Sequence, residues 1–406
     1  MRQLTFADRT RRYSSSAVRD ILKRTMVPDM ISFAGGLPAD EWFPREALQE
    51  AYARIFRDSA STLQYGITDG YTPLREQLCN WMLHKGVSVQ PDQMLLTTGS
   101  QQAIDLAARI WLNPGDVVIT ESPTYLAALQ VFQAAEAKVI GIPSDEDGMD
   151  LARLQEVMEQ VKPKLLYVSP TFANPTGKCW SKSRKQALLD LCQQNELTIL
   201  EDDPYGELTF ESGTHMESLL SMSGELDMGS IMYTSTFSKT VVPALRTGWV
   251  IANRAIIQEM SKAKQACDLH SSLMDQQALN QLMRHYDLRA HIAQLREGYK
   301  ERMQVMAGEL QALAGPMSPA FEIPKGGMFI WVNLNQAYRT DELLSFAIEE
   351  GVAFVPGSSF YPDAPNHQSM RLNFSHSSPE RIREGMQRLR KAMDTYARQG
   401  QSLYHL

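Results

Sequence analysis

Short apolar segments alternate with amphipathic segments from about residue 94 onward. The apolar, β-prone segments lie at 94–98, 116–121, 138–143, 165–169, 198–202, 231–234 and 248–252, with helical periodicity between them at 101–112, 125–137, 150–161 and 182–196. Strands that alternate with helices are typical of βαβ units and of a largely parallel sheet. The apolar segments are continuous, as expected when helices cover both faces of the sheet. The pattern therefore predicts an α/β fold with a mostly parallel, seven-stranded sheet between helices.

The two ends of the chain follow a different pattern. Helical periodicity is present at 17–24 and at 44–59, where Pro44 suits the first turn of a helix. Residues 255–313 are helical in pattern throughout. Strands are predicted at 326–332, 352–356 and 370–374, and a closing helix at 379–397. This C-terminal part has its own mixture of helices and strands, which predicts a second, smaller α/β domain.

Composition narrows the class of protein. Of the 406 residues, 43% are hydrophobic and 21% are charged, which is ordinary for globular proteins. Forty Lys and Arg against 47 Asp and Glu give a net charge of −7. This balance argues against a nucleic-acid partner or an anionic membrane surface, because both require a basic face. No apolar run reaches the roughly 18–20 residues that a transmembrane helix needs.

The cysteines and the N-terminal residues bear on location. Four widely spaced cysteines are present, none of them in a C-x-x-C pair: Cys79, Cys179, Cys192 and Cys267. They predict reduced thiols and a cytoplasmic protein. Residues 1–16 are rich in Arg and Ser without an apolar segment, which argues against a secretory signal. A mitochondrial transit peptide is the alternative, and Asp8 and Asp20 weaken it.

Several common ligand signatures are absent from the sequence. No G-x-G-x-x-G follows a strand, and Ser238 precedes Lys239 where a Walker A motif has glycine. No H-E-x-x-H or zinc-type Cys/His spacing is present, and the acidic residues 145–148 do not fit an EF-hand. We therefore expect no metal.

Polar residues instead gather where the predicted strands end, and open α/β sheets bind ligands at this edge. They are Ser100 and Gln101 at the start of a helix, Asn174, Asp202, Tyr205, Thr236, Ser238, Lys239, Arg246 and, in a later strand, Arg371. Each alone has an ordinary explanation as a cap, a turn or a surface group. Pyridoxal phosphate (PLP) explains them together. Its phosphate requires a helix N-terminus, hydroxyls and an arginine, its aldehyde requires a lysine, and its pyridinium requires a carboxylate.

Seven ordered motifs carry a family resemblance. They are SFAGGLP (32–38), LQYG (63–66), TTGSQQ (97–102), NPTG (174–177), EDDPY (201–205), FSK (237–239) and KGGMF (325–329). At these residues the sequence resembles the class I/II aminotransferases of PLP fold type I, and most of all the branch with 2-aminoadipate and kynurenine aminotransferases. The resemblance covers residues 14–393, nearly the whole chain.

The resemblance implies roles around the cofactor ring. Lys239 is expected to bind PLP as a Schiff base and then to move the proton between substrate and cofactor. Asp202 is expected to pair with the pyridine nitrogen, Asn174 and Tyr205 with the phenolic oxygen, and Tyr125 to stack on the ring. The implied phosphate ligands are Ser100, Gln101, Ser238 and Arg246, with Tyr65 reaching in from the partner subunit of a homodimer. Thr236 stands where this branch often has serine, so a hydroxyl is kept.

The resemblance also implies how substrates bind. Arg371 is expected to hold the α-carboxylate, near Asn174, and Gly36 to let the backbone lie against the substrate. Arg19, on the predicted helix at 17–24, is the candidate partner for an acidic side chain, and its alternative is a solvated surface arginine. The expected reaction moves an amino group from 2-aminoadipate, an aromatic amino acid, kynurenine or a branched-chain amino acid to 2-oxoglutarate by a ping-pong mechanism.

The expected domain division is a segment 1–45 that packs with the small domain, a PLP-binding domain 46–290 and a C-terminal domain 291–406. Two other functions stay open. One is another PLP reaction on this fold, such as decarboxylation, racemisation or elimination. The other is an effector-sensing transcription regulator, which the few residues before Phe33 and the acidic charge disfavour.

Overall fold

The computed structural model describes residues 4–12, 17–25, 27–58, 60–211, 216–224, 230–313 and 318–403. The strands are β1 (Ile31–Ser32), β2 (Met94–Thr97), β3 (Val117–Ser122), β4 (Lys138–Pro143), β5 (Pro163–Val168), β6 (Thr198–Asp202), β7 (Ile231–Thr236), β8 (Gly248–Ile251), β9 (Ala320–Phe321), β10 (Phe329–Asn333), β11 (Val352–Ala353), β12 (Val355–Pro356) and β13 (Ser369–Asn373). The helices are α1 (Ala17–Arg24), α2 (Arg45–Asp58), α3 (Thr72–His84), α4 (Ser100–Trp111), α5 (Leu126–Ala134), α6 (Leu151–Gln160), α7 (Lys182–Gln194), α8 (Leu219–Ser223), α9 (Arg254–Asp268), α10 (Leu273–His285), α11 (Leu288–Gln311), α12 (Thr340–Glu349) and α13 (Pro379–Leu403).

Seven strands form the large sheet in the order β2-β8-β7-β6-β5-β3-β4. The strands β7, β6, β5, β3 and β4 are parallel, whereas β8 runs antiparallel to both of its neighbours. The strands β6, β7 and β8 are buried along their whole length, and separate apolar clusters pack on the two faces of the sheet. The predicted α/β fold with a mostly parallel seven-stranded sheet is thus confirmed.

A smaller antiparallel sheet, ordered β12-β13-β10-β9, lies in the C-terminal part of the chain. Beside it, β1 pairs in parallel with β11, so that Ile31 lies opposite Val352. Phe33 is fully buried in the same apolar cluster as Leu372 and Ile382. The segment that carries β1 therefore shares a core with the C-terminal part, and the domain division at 45 and 290 stays a proposal.

The structure differs from the predicted pattern in a few places. The helical region 255–313 consists of α9, α10 and α11, and α9 ends where Leu269 adopts a left-handed conformation with φ of 63°. Residues 352–356 form two short strands in different sheets rather than one strand. The helix α3 was not predicted, although Leu74, Leu78 and Met82 recur at helical spacing and Pro73 lies in its first turn.

Two absences apply to the described residues. None of their helices is both long and apolar enough to cross a lipid bilayer. Within the same residues, no group of three or more His, Cys, Asp or Glu side chains is placed to hold a metal ion.

Candidate active site

A cavity of about 800 Å³ opens at the carboxyl edge of the large sheet. Asp202 ends β6 there, Lys239 follows β7, and α4 begins directly after β2. The cavity is lined by the predicted residues Arg19, Gly36, Ser100, Gln101, Tyr125, Asn174, Asp202, Tyr205, Thr236, Ser238, Lys239, Arg246 and Arg371. The large sheet brings most of these residues together at its carboxyl edge, whereas Arg19, Gly36 and Arg371 come from α1, from the segment after β1 and from β13 of the smaller sheet. Tyr65 is not part of this lining and is 77% exposed.

Asp202 lies buried on the floor of the cavity. Its Oδ2 accepts a hydrogen bond from the Tyr167 hydroxyl at 2.8 Å, whereas its buried Oδ1 has no partner among the described residues. Burial, assisted by the charge of Asp203, raises the pKa of Asp202 to about 7. A buried carboxylate oxygen without a donor is costly, and a protonated ring nitrogen is a donor that would satisfy it.

Lys239 is the amine of the site. Its Nζ donates to the carbonyl oxygen of Gly36 at 2.7 Å. Burial lowers the pKa of Lys239 to about 8, and the positive charges of Arg371 and Arg246 add to this effect. About a tenth of the amine is therefore unprotonated at pH 7, and this is the nucleophilic form.

The start of α4 and the loop after β7 form an anion cradle. Gly99 precedes the helix with φ of 75°, and a Cβ there would lie 2.6 Å from Nη2 of Arg246. The Ser238 backbone N–H donates to Oγ1 of Thr236 at 3.1 Å, and Nη1 of Arg246 donates to Oγ of Ser238 at 3.2 Å. A helix N-terminus, two hydroxyls and a guanidinium in one place suit a phosphate dianion.

Arg371, on β13, lies buried on the other side of the cavity. Its Nη1 donates to Oδ1 of Asn174 at 2.6 Å, and its Nη2 donates to the carbonyl oxygen of Ala34 at 2.5 Å. The guanidinium lies 4.3 Å from the ring centre of Phe329 and 5.0 Å from that of Phe360. Its buried Nε has no partner among the described residues. Burial lowers the pKa of Arg371 to about 10, so the group stays cationic at neutral pH and can bind a carboxylate.

The mouth of the cavity is formed by the N-terminal segment. Arg19, Leu22 and Lys23 of α1 contribute to the lining, and so does Arg12. Arg19 and Lys23 are exposed, and Lys23 lies near Asp20 with 3.9 Å between nitrogen and oxygen. The mouth is therefore cationic, and its side chains are far less constrained than those at the floor.

Sequence reasoning missed several residues that contact the predicted groups, among them Tyr167, Ser169 and Phe360. Tyr167 holds Asp202, Oγ of Ser169 donates to the Asp202 carbonyl at 2.9 Å, and Phe360 packs on Arg371. Tyr167 and Ser169 were assigned to a buried strand. The available signal was their polar tips in an otherwise apolar segment, because a buried hydroxyl requires a partner.

Comparison with known proteins identifies the family. The family model described as aminotransferase class I and II matches residues 28–389. The chain belongs to this family. It is 36% identical to the 2-aminoadipate transaminase of Thermus thermophilus over 94% of each chain, and 37% identical to aromatic-amino-acid aminotransferase 1 of Thermococcus litoralis over 95% of this chain and 93% of that one.

A solved structure agrees with this assignment. The α-aminoadipate aminotransferase LysN of Thermus thermophilus, complexed with N-(5′-phosphopyridoxyl)-L-leucine, superposes with a TM-score of 0.90, at 34% identity and over 96% of this chain and 97% of that one. Class I and II aminotransferases use PLP. Three features fit this cofactor: the unpartnered Oδ1 of Asp202, the amine of Lys239 and the anion cradle at the start of α4. The protein is therefore a PLP-dependent aminotransferase of fold type I.

Proposed function

We propose that this aminotransferase moves the amino group of an L-amino acid to 2-oxoglutarate by a ping-pong mechanism. The observation that carries the proposal is the cavity, whose lining contains the amine of Lys239 together with the buried carboxylate of Asp202 and the buried guanidinium of Arg371. The proposed donors are 2-aminoadipate, aromatic amino acids, kynurenine and branched-chain amino acids. Bound PLP supplies an electron sink that allows the Cα–H bond of the amino acid to ionise.

The proposed division of labour follows from the position of each group. Arg371 binds the α-carboxylate through the edge that carries the unpartnered Nε, and Asn174 fixes the guanidinium from the other side. The carboxylate is thereby held in the same cavity that the amine of Lys239 lines. Nζ of Lys239 is positioned to take the proton from Cα, and bound PLP would supply the carbon that receives it; the lowered pKa of Lys239 suits this exchange.

The remaining polar groups hold the cofactor. Asp202 would keep the ring nitrogen protonated, and Tyr205 and Asn174 would donate hydrogen bonds to the phenolic oxygen. Tyr125 would stack on one face of the ring. The proposed phosphate ligands are Ser100, Gln101, Thr236, Ser238 and Arg246. Since most of these side chains are anchored at strand ends or at a helix start, they hold the phosphate, and with it the ring, in one orientation.

Substrate choice is assigned to the mouth of the cavity. Arg19 is proposed to bind the side-chain carboxylate of an acidic substrate, with Lys23 one turn further along α1. 2-Oxoglutarate and 2-aminoadipate both carry a second carboxylate. The relatives named for 2-aminoadipate and for aromatic amino acids support both classes of donor. An exposed arginine can move away, which leaves room for an apolar side chain.

The proposed assembly is a homodimer with shared active sites. Tyr65 projects outside its own cavity, and its ring contacts His270 edge-on with 5.8 Å between ring centres. Gly66 packs against Leu273, which places the two segments together. The exposed apolar side chains of these segments are Leu63, Tyr65, Ile67, Leu269 and Met274. A second copy that covers this surface would bring Tyr65 to the phosphate end of the neighbouring site.

A single half-reaction tests the proposed chemistry. The holoenzyme is mixed with L-glutamate without any acceptor, and released products and the visible absorption of the cofactor are measured. We expect one 2-oxoglutarate per active site and loss of the visible band, which a 2-oxo acid then restores. Release of CO₂, formation of D-glutamate or continued turnover without an acceptor would instead identify a decarboxylase, a racemase or a lyase. A donor panel with 2-oxoglutarate as acceptor then ranks the substrates.

Mixed dimers test the shared site. Lys239→Ala and Tyr65→Ala chains, each nearly inactive alone, are denatured together and refolded. If Tyr65 serves the neighbouring site, the hybrid contains one site with both native residues, and activity returns to about half of the native value per hybrid, by simple site counting. No recovery of activity would place Tyr65 outside the partner's site.

A further inference from the structure

A group of buried charged side chains lies beneath the floor of the cavity, on the side of the large sheet that faces away from the cavity. Asp203 follows Asp202 directly, and its backbone N–H donates to the Thr234 carbonyl at 2.9 Å. Because successive residues of an extended segment point to opposite faces, its carboxylate points away from the cavity. It lies in a small separate hollow lined by Trp81, Lys85 and Glu207.

Within the part of the chain that the structure describes, the hydrogen-bond partners of the Asp203 carboxylate are all donors. Oδ1 accepts from the Gly206 N–H at 2.8 Å, and Oδ2 accepts from the Tyr233 hydroxyl at 2.8 Å and from Nζ of Lys85 at 3.3 Å. The Asp203 side chain is 3% exposed and that of Lys85 is 10% exposed. Three donors, one of them the ammonium group of Lys85, thus satisfy a carboxylate that burial has removed from water.

The second acid of the hollow has its own cation. Oε2 of Glu207 lies 3.5 Å from Nη2 of Arg296, and the Glu207 backbone carbonyl accepts from Nε of the same arginine at 2.6 Å. Lys85 is also 3.7 Å from Glu207, which is longer than its contact with Asp203. Two acids thus face two bases, and Lys85 is the cation nearest to Asp203.

The charge of Asp203 acts on its neighbour Asp202. Two adjacent buried carboxylates disfavour double ionisation, and the charge of Asp203 contributes to the raised pKa of Asp202. Yet the proposed partner of Asp202, a protonated ring nitrogen, requires an ionised carboxylate. The cation of Lys85 offsets the charge of Asp203 and leaves one negative charge on the cavity side.

We propose that Lys85 is a positioning residue of the cofactor site, which keeps Asp202 ionised against the ring nitrogen by neutralising Asp203. Lys85 touches neither the cofactor nor the substrate and acts only through the two aspartates. The inference rests on the proposed role of Asp202, and its test separates the two.

The test compares two probes on the full-length chain freed of its cofactor, at one neutral pH. One probe is pyridoxamine 5′-phosphate, and the other is its carbocyclic analogue in which C–H replaces the ring nitrogen. The measured quantity is the dissociation constant of the carbocyclic probe divided by that of pyridoxamine 5′-phosphate. This ratio isolates the contact of the ring nitrogen, because the phosphate and ring-stacking contacts are the same for both probes. Lys85→Met is expected to reduce this ratio about tenfold, equivalent to one pKa unit, while binding of the carbocyclic probe stays constant.

Further variants distinguish charge from packing. Lys85→Arg retains the cation and is expected to retain the ratio. Lys85→Met combined with Asp203→Asn removes both charges, and we expect it to restore the ratio, since neither buried charge remains. Lys85→Met alone leaves the buried Asp203 carboxylate without its cation, which can destabilise the fold. The double variant avoids this, because it removes both charges.

Each outcome of these measurements decides for or against the role of Lys85 or that of Asp202. An unchanged ratio in Lys85→Met, or a double variant that is as impaired as the single one, overturns the role of Lys85. Asp202→Asn serves as the reference and is expected to abolish the preference for the nitrogen-containing probe. If Asp202→Asn keeps the preference, the proposed role of Asp202 is wrong, whatever Lys85→Met does.

Discussion

The floor and the mouth of the cavity are built in opposite ways. At the floor, Asp202 is buried at the end of β6 and the half-buried Lys239 follows β7, with partners at 2.8 and 2.7 Å. At the mouth, Arg19 and Lys23 are exposed on α1, a helix of eight residues outside the large sheet. The floor therefore has one arrangement, whereas the side chains of the mouth retain rotamer freedom. In our proposal the floor performs the chemistry common to all substrates, and the mouth selects among them.

The largest expected effect concerns the floor. Lys239→Ala removes the proposed proton carrier, so turnover with every amino acid should fall by about 10⁴-fold or more. Initial rates with glutamate and with leucine measure it, and circular dichroism checks the fold. Lys262→Ala, an exposed lysine paired with Glu259, is the matched control and should keep full activity. A variant that retains appreciable turnover would show that another group carries the proton.

The next largest effect is expected at Arg371, which is proposed to bind the α-carboxylate that every substrate shares. Arg371→Lys keeps the charge but loses the planar pair of donors, and the lost charge-assisted hydrogen bonds are each worth about 1.5–3 kcal/mol. We expect kcat/KM to fall roughly a hundredfold, by a similar factor for glutamate and for leucine. Steady-state kinetics with both donors measure this. A loss confined to acidic donors would place Arg371 at the side chain rather than at the α-carboxylate.

The pH dependence of cofactor attachment sharpens the picture of the floor. With a pKa of about 8, roughly a tenth of the Lys239 amine is unprotonated at pH 7 and about nine tenths at pH 9. The rate at which the cofactor-free chain binds PLP covalently should therefore rise about tenfold over this range and level off above it. Stopped-flow absorbance follows the reaction. A rate that still climbs steeply above pH 9 would indicate a lysine with an ordinary pKa.

The smallest effect is expected at the mouth. Arg19→Ala should lower kcat/KM for glutamate and 2-aminoadipate about fivefold, the range of an exposed ion pair, and leave leucine unchanged. The donor panel measures the ratio between acidic and apolar substrates. Arg153→Ala, an exposed arginine on α6 paired with Glu156, should not change this ratio. Equal losses for all donors would make Arg19 a surface arginine without a role in selection.

Sequence patterns predicted the large sheet well because buried parallel strands leave continuous apolar segments. They predicted the floor residues because strand ends concentrate polar groups at one edge. They could not reveal the hydrogen bond from Tyr167 to Asp202, which depends on the register that pairs Tyr167 with Leu200 in the neighbouring strand. Lys85 was missed for a similar reason. It follows α3, a helix that was not predicted, and approaches Asp203 only in the folded chain.

The contacts of Arg371 have a consequence for the order in which the protein becomes functional. Its guanidinium binds Ala34, 337 residues earlier in the chain, and Asn174, 197 residues earlier. During synthesis, Ala34 and Asn174 leave the ribosome long before Arg371 does. The binding of a substrate carboxylate is therefore among the last properties that a nascent chain acquires, and it reports that distant parts of the polypeptide have come together.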